Sequence, residues 1–302
     1  MRTTFIRWLC KAAKTDARIV LITADLGYSV VEPFVDAYPD RFINVGVAEQ
    51  NMVGIAAGLA SEGWRPYTYS IGIFPTFRCA EQLRNDIDYH NLPVCSCTVG
   101  SGVAYGSLGY SHHAIQDLAL MRSLPNTVIA TPADPVETEA ILNWHVHSES
   151  PIYLRMHKSG EPNLHSNVPV ISRGMPIKIY GSGASRACII VHGFLASSAI
   201  AIIKDMGHDC DIYTLPLWGA GCNRDKICEV VGKYKVAITI EDHLLAGGMS
   251  SWILESLAHN EVTANIKPFC IEQDLVGKVA SESTLISNLL LSLKNFLVNS
   301  KL

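Results

Sequence analysis

Glu49 is the residue around which the chemistry of this sequence gathers. It lies in residues 41–63, RFINVGVAEQNMVGIAAGLASEG, where the apolar run Phe42-Ile43-Asn44-Val45 stops at Gly46. Beyond it the apolar positions Met52, Val53, Ala56, Ala57, Leu59 and Ala60 recur at helical spacing. The pattern is a strand delivering its end into the first turn of a tightly packed helix. A carboxylate there either answers the helix dipole or does something more specific. The small neighbours Gly46, Ala48, Gly54, Ala56, Ala57 and Gly58 let other backbone or a flat ligand come close, and a carboxyl group in so dry a place has its protonated form favoured. With almost no other charge in the stretch, the second reading prevails: a poised acid at the C-terminal end of a strand, as α/β active sites use.

Four further places fall where parallel strands are expected to end: Asp25, the segment Phe74 to Arg78, the glycine-rich stretch before His112, and Arg155. Phe74 and Phe77 are three apart at a helix opening and so share a face. Either they pack in a core or, with Pro75 fixing a helix N-terminus beside the strand ends, they meet a ligand. Residues 99–113, VGSGVAYGSLGYSHH, carry four glycines and two histidines in one long connection. Long ordered loops of that kind are often functional, and an imidazole there could shuttle protons or polarise a carbonyl near pH 7. Arg155 and Lys158 in YLRMHK suit an anionic group or form a solvated surface pair. Glu241-Asp242-His243 has the composition of a catalytic triad, but three consecutive residues cannot converge as a relay, so this run is assigned to interdomain or intersubunit packing.

The elements that must position these groups alternate along the chain. Apolar runs at 19–25, 41–45, 65–70, 92–99, 126–131 and 151–155 read as buried parallel strands, with helices at 30–38, 48–62, 74–89, 114–123 and 134–147 between them. Residues 158–183 hold Pro162, Pro169 and Pro176 with no sustained period and read as a connection. A second alternating series follows, with strands at 187–191, 211–215, 236–241 and 266–270 and helices at 196–206, 222–234, 248–259 and 282–297. The expected fold is α/β with two domains, 1–160 and 185–302, each a mostly parallel sheet flanked by helices and joined by a 161–184 linker.

Composition bounds the function classes. The 302 residues are 48% apolar and 17% charged, with net charge −4 and no basic cluster, which disfavours nucleic acid or an anionic membrane as the main partner. The basic N-terminus is interrupted by Arg7, Lys11 and Lys14 and reads as an amphipathic helix, not a signal peptide. Nine cysteines without a C-x-x-C pair read as reduced thiols of a cytoplasmic protein, and the eleven histidines lack metal-ligand spacing, so no metal site is assigned.

The segments GVAEQNMVGIAAGLA, FPTFRCAEQLRNDI, GYSHHAIQDLALMRSLPN and VIATPADPVET resemble the pyrimidine-binding domain of transketolases. IEDHLLAGGMSSWILESL is similar to that family's C-terminal domain. The resemblance, from about Arg2 to Lys294, is nearest to the C-terminal subunit of split transketolases. 1-Deoxyxylulose-5-phosphate synthase is a more distant relative. It implies thiamine diphosphate as cofactor, with Glu49 hydrogen-bonded to N1′ of the aminopyrimidine to favour the imino tautomer that deprotonates C2. It further implies Phe74 and Phe77 on the pyrimidine ring, Asp25 near the thiazolium and His112 near the donor carbonyl. Ser29, Arg155 and Lys158 match positions that hold the substrate's hydroxyl and phosphate end.

Two departures stand out. The family's Asp in D-G-x-[ST]-H is Leu108 here, which points to an altered sugar. No G-D-G with a downstream Asn pair is present, so Mg²⁺ (or Ca²⁺) and the diphosphate are expected on a partner subunit, in an α2β2 heterotetramer. The alternatives are the beta subunit of a 2-oxo acid dehydrogenase or decarboxylase, and a catalytically silent structural subunit.

Overall fold

The computed structural model describes residues 1–300. Its strands are β1 (Ile19–Thr23), β2 (Phe42–Asn44), β3 (Arg65–Ile71), β4 (Cys95–Val99), β5 (Val128–Ala130), β6 (Ile152–Met156), β7 (Ile177–Tyr180), β8 (Ala187–Val191), β9 (Asp211–Thr214), β10 (Leu217–Trp218), β11 (Val236–Leu244) and β12 (Ile266–Ile271). The α-helices are α1 (Arg2–Ala12), α2 (Glu32–Ala37), α3 (Glu49–Ser61), α4 (Ile73–Phe77), α5 (Ala80–Gln82), α6 (Asp117–Met121), α7 (Pro135–His145), α8 (Leu195–Met206), α9 (Asp225–Val231), α10 (Met249–His259) and α11 (Glu282–Ser300).

Two sheets result, ordered β10-β5-β6-β4-β3-β1-β2 and β12-β11-β8-β9-β7. Strands β1 to β6 run parallel, as do β8, β9, β11 and β12. Helices cover both faces of such sheets, so the strands are buried on both sides: every residue of β1, β4, β6 and β8 is buried. The fold is the expected one, two mostly parallel sheets flanked by helices. Helix α1 is amphipathic as its spacing predicts. Phe5 stacks on Tyr69 at 5.8 Å, Trp8 tilts against Tyr67, and its indole donates to Asn143 Oδ1 of α7 at 2.7 Å. Among the described residues no helix is long and apolar enough to cross a membrane.

Several elements depart from the sequence-based expectation. Strand β7 lies in the stretch read as an irregular connection and pairs antiparallel with β9. Four edge residues after a proline are too few to show a period. Strand β10, from the second half of the chain, adds antiparallel to β5 of the first sheet, so the two halves share a sheet edge. The single helix expected over 74–89 is broken into α4, α5 and a wide π turn at Leu83–Asp88. The helix expected over 114–123 shortens to α6, because Ala114 pairs with Gly102 and Ile115 O accepts from Leu244 N. Every cysteine is a free thiol, and Cys95 and Cys97 meet on one face of β4 with sulfurs 3.3 Å apart.

Candidate active site

The sheet order places the C-terminal ends of β6, β4, β3, β1 and β2 side by side. The segments that leave them therefore form one rim: Lys158 after β6, residues 100–114 after β4, 72–78 after β3, 25–29 after β1 and 45–49 after β2.

Glu49 opens α3 and is 5% exposed. Its carboxylate does not fold back on the helix N–H groups. Oε1 accepts from Arg78 Nη1 at 2.8 Å, and Oε2 has no hydrogen-bond partner among the described residues. The sequence suggests an acid with little charge nearby; the fold supplies a cation from 29 positions away. The Arg78 side chain is 50% exposed, and its guanidinium lies over the Phe74 ring, 4.3 Å from the centroid. Gln50 donates to Arg78 O at 2.9 Å, which fixes the backbone of this segment independently of the side chain.

Neither aromatic candidate is a core residue. Phe74 is half-buried, and Phe77 is 52% exposed. Phe74 meets the His112 ring edge-on, with centroids 5.1 Å apart. His112 itself comes from the loop after β4, which two single turns of 3₁₀ helix, Gly106–Leu108 and Tyr110–His112, make compact. Gly100 has φ +87° and its missing Cβ leaves room for the Tyr105 ring, which lies where that atom would be. The two histidines separate: His113 is fully buried with Nε2 3.4 Å from Gly106 O, whereas His112 faces the rim with Nδ1 3.0 Å from Ser111 Oγ. Burial, then the charges of His113 and Arg78, push the His112 imidazole below its usual pKa, so it is neutral at pH 7. Leu108 is exposed on this loop, beside Gly109, whose Cβ would touch Val279 of the second half.

At the end of β1 the backbone is strained. Asp25 and Ser29, neither of them glycine, have φ of 54° and 62°, each costing roughly 1 kcal/mol or more. Asn44, at the paired end of β2, accepts from Asp25 N at 2.9 Å and Gly46 N at 3.1 Å. The Tyr28 hydroxyl donates to Asp25 Oδ1 at 2.7 Å, and it and Asn44 hold that carboxyl below the usual range. Ser29 is exposed, with its N–H bonded to Glu32 Oε1 at 2.7 Å.

Arg155 requires a correction. It points inward from β6 and is 2% exposed. Nε donates to Asp117 Oδ2 at 2.8 Å, Nη1 to Asp242 Oδ1 at 2.5 Å and Nη2 to Ala114 O at 2.6 Å. Two carboxylates and a carbonyl engage all three guanidinium nitrogens, and the side chain is shut off from solvent where a substrate would approach. Asp242 belongs to the Glu241-Asp242-His243 run, which packs at the boundary of the two halves, the assignment its three consecutive positions led to. Lys158 remains on the rim, its ammonium 4.7 Å from the Tyr105 centroid.

Sequence reasoning placed Arg78 on the rim without giving it a role, and it missed Tyr105, Tyr28 and Asn44. The role of Arg78 was within reach, since four positions from Phe74 puts it on the same helical face. Asn44 needed the register that sets it opposite Thr23. Among the described residues, no group of three or more His, Cys, Asp or Glu side chains is placed to hold a metal ion.

Residues 1–162 match the family described as the pyrimidine binding domain of transketolase. The chain is 28% identical over 265 residues to one subunit of the apulose-4-phosphate transketolase of Actinobacillus succinogenes, covering 85% of this chain and 83% of that one. It is 29% identical over 295 residues to a putative transketolase C-terminal section of Methanocaldococcus jannaschii, covering 95% and 90%. A solved split gene transketolase, described as an "inactive beta4 tetramer", superposes with a TM-score of 0.82 at 28% identity over 95% of this chain and 92% of that chain. With the family match covering more than half of its length and the strand-end rim lying inside that match, the chain belongs to the transketolase family and carries its pyrimidine-binding domain in residues 1–162.

Proposed function

We propose that this chain is the pyrimidine-binding subunit of a two-chain, thiamine diphosphate-dependent transketolase. It moves a two-carbon ketol unit between sugar or sugar phosphate substrates once a second subunit supplies the diphosphate site and its Mg²⁺ (or Ca²⁺). On this reading residues 1–160 and 185–302 are the two domains, and the assembly is an α2β2 heterotetramer.

The observation that carries the proposal is the state of Glu49: buried, held at Oε1 and unpartnered at Oε2, beneath a planar donor stacked on an aromatic ring. The guanidinium of Arg78 is flat, as an aminopyrimidine is, so the space beside Glu49 and over Phe74 already accepts a planar nitrogen-bearing group. Glu49 would hold the pyrimidine nitrogen, Phe74 and Phe77 its faces, and Asp25 the thiazolium side. When bound, the cofactor supplies the electron sink that lets a ketose carbon–carbon bond open and re-form.

The chain's own residues then have defined tasks. Glu49 Oε2 carries the hydrogen bond and its proton, while Arg78, half-exposed, swings aside. His112 keeps Nδ1 toward Ser111 and presents Nε2 to the substrate's oxygen as a neutral donor or acceptor. Lys158 and Ser29 hold the phosphate and hydroxyl end. The rim exposes Tyr28, Val47, Phe77, Leu108 and Tyr110, an apolar surface of the kind a second polypeptide covers. The likeness over most of both chains to a single subunit of a transketolase supports the same division of labour.

The test is reconstitution. The isolated chain should show no ketol transfer, and addition of a chain bearing the diphosphate site should restore it. Glu49→Gln in that pair should lower kcat by about 100-fold or more. Full transfer by the isolated chain would refute the divided site, and an undiminished Glu49→Gln pair would remove Glu49 from the mechanism.

A further inference from the structure

Arg155 is the most completely engaged charged side chain described above, and its partners come from three separate parts of the chain. Asp117 opens α6, Ala114 lies at the base of the His112 loop, and Asp242 belongs to β11 of the second half. Ala114 matters because of what it closes. Gly102 N donates to Ala114 O at 3.1 Å and Ala114 N to Gly102 O at 2.8 Å, so these two residues form the neck of a loop that carries Tyr105, Leu108 and His112. The carbonyl on that neck is the one Arg155 Nη2 grips at 2.6 Å.

The second half of the molecule presses on the same neck. Gly102 has φ +59°, and a Cβ there would come within 2.5 Å of Asp242 Oδ2, so only glycine lets the neck lie against the aspartate. Leu244 N donates to Ile115 O at 3.1 Å one residue further on. Asp117 Oδ1 and Asp242 Oδ2 are buried without hydrogen-bond partners. Removing the guanidinium would take from Asp242 its arginine partner and leave Asp117 only the Tyr153 hydroxyl, which donates to its Oδ2 at 2.7 Å.

We propose that Arg155 is a positioning residue: it locks the neck of the His112 loop to the second half of the chain, so the imidazole's place on the rim is set at the domain boundary. The residue expected on sequence grounds to touch substrate acts one layer behind it. Only the catalytic arm of the test below rests on the ketol-transfer reading.

Amide hydrogen exchange on the full-length chain is the first measurement. In the wild type, the amides of Gly102 and Ala114 should be protected like those of β4. If they exchange as fast as the loop tip, the lock does not exist. Arg155→Lys keeps the charge but cannot reach three partners, and Asp242→Asn removes only the cross-boundary charge. Either variant should speed exchange in residues 103–113 by about tenfold or more while β1 and β8 are unchanged. A uniform rise over the chain, or none in the loop, overturns the proposal. In the reconstituted pair, Arg155→Lys should lower kcat per active site about tenfold with thiamine diphosphate affinity unchanged, the loss expected when a reacting group is misplaced. A residue that is only structural would lower the fraction of active sites and leave kcat per site alone, which would also overturn it. A pair without ketol transfer in any version defeats the functional reading, and the exchange result still decides the role of Arg155.

Discussion

Arg78 touches two members of the rim and acts electrostatically on a third. It bonds Glu49 at 2.8 Å, covers Phe74 at 4.3 Å, and is one of the causes, after burial and His113, that lower the His112 pKa. The sign follows from linkage. With the folded value below the usual 6.5, the unfolded chain takes up the proton first, so stability present above 6.5 is lost as pH falls through the folded value. Arg78→Ala removes one of the causes, and His112 should titrate at higher pH by NMR. The melting temperature should hardly move, because an ion pair with a half-exposed guanidinium is worth at most about 1 kcal/mol. The same substitution vacates the face of Phe74. Thiamine diphosphate binding to the two-chain assembly should then tighten by about two- to fivefold, the equivalent of losing a competing contact of that size. Calorimetric titration that finds weaker binding would instead make Arg78 one of the cofactor's own contacts.

The break in the 73–88 helical stretch shows how an element can serve the site and the core at once. Its first turns present Phe74, Phe77 and Arg78, while its π turn ends at Asp88, buried at 2% exposure. Asp88 Oδ1 accepts from Asn126 N at 3.0 Å, Thr127 N at 2.8 Å and Thr127 Oγ1 at 2.7 Å, fixing the chain as it enters β5. Asp88→Ala leaves those donors without an acceptor and should cost about 2–4 kcal/mol in urea unfolding, whereas Asp88→Asn keeps an acceptor and should retain most of it. A loss under about 1 kcal/mol for alanine would mean that water replaces the carboxylate. The parallel strands were legible because burial on both faces leaves continuous apolar runs, and with them the rim, since strand ends fix where Asp25, Glu49 and His112 emerge. The π turn has no sequence period, and β7 and β10 are too short to show one. Arg155 was misread because its Asp242 partner lies 87 positions away and an isolated charge reads as exposed by default.

Across the whole molecule, a second buried polar cluster ties three parts of the chain together and should set its pH dependence. Asp134 caps α7 by accepting from Glu137 N at 2.6 Å, and its Oδ2 accepts from Leu164 N at 2.6 Å and His165 N at 3.0 Å in the connecting stretch. Glu137 Oε2 accepts from Ala133 N at 2.8 Å, and Oε1 accepts from Thr214 Oγ1 of β9 and lies 3.4 Å from His165 Nε2. Burial, opposed by Thr214, Ala133 and His165, pushes Glu137 up to about 7. Burial lowers His165, but its bond to Asp134 and the charges of Glu137 and Asp134 outweigh it and raise the imidazole pKa. Both groups bind protons more tightly when folded, so each contributes stability at low pH that is lost as pH rises, Glu137 from 4.5 toward about 7 and His165 through its raised value. Asp134 is lowered, and its contribution is constant above 3.8. His145, which burial pushes down to about 3, acts in the opposite direction below 6.5, so the cluster is isolated by comparing variants and not by the wild-type curve alone. Urea unfolding of the wild type and Glu137→Gln at pH 5.5, 7 and 8.5 should show the variant gaining on the wild type by on the order of 2 kcal/mol across that range. A constant difference at all three values would mean that Glu137 stays charged in the fold, with Thr214 and His165 able to hold the carboxylate on their own.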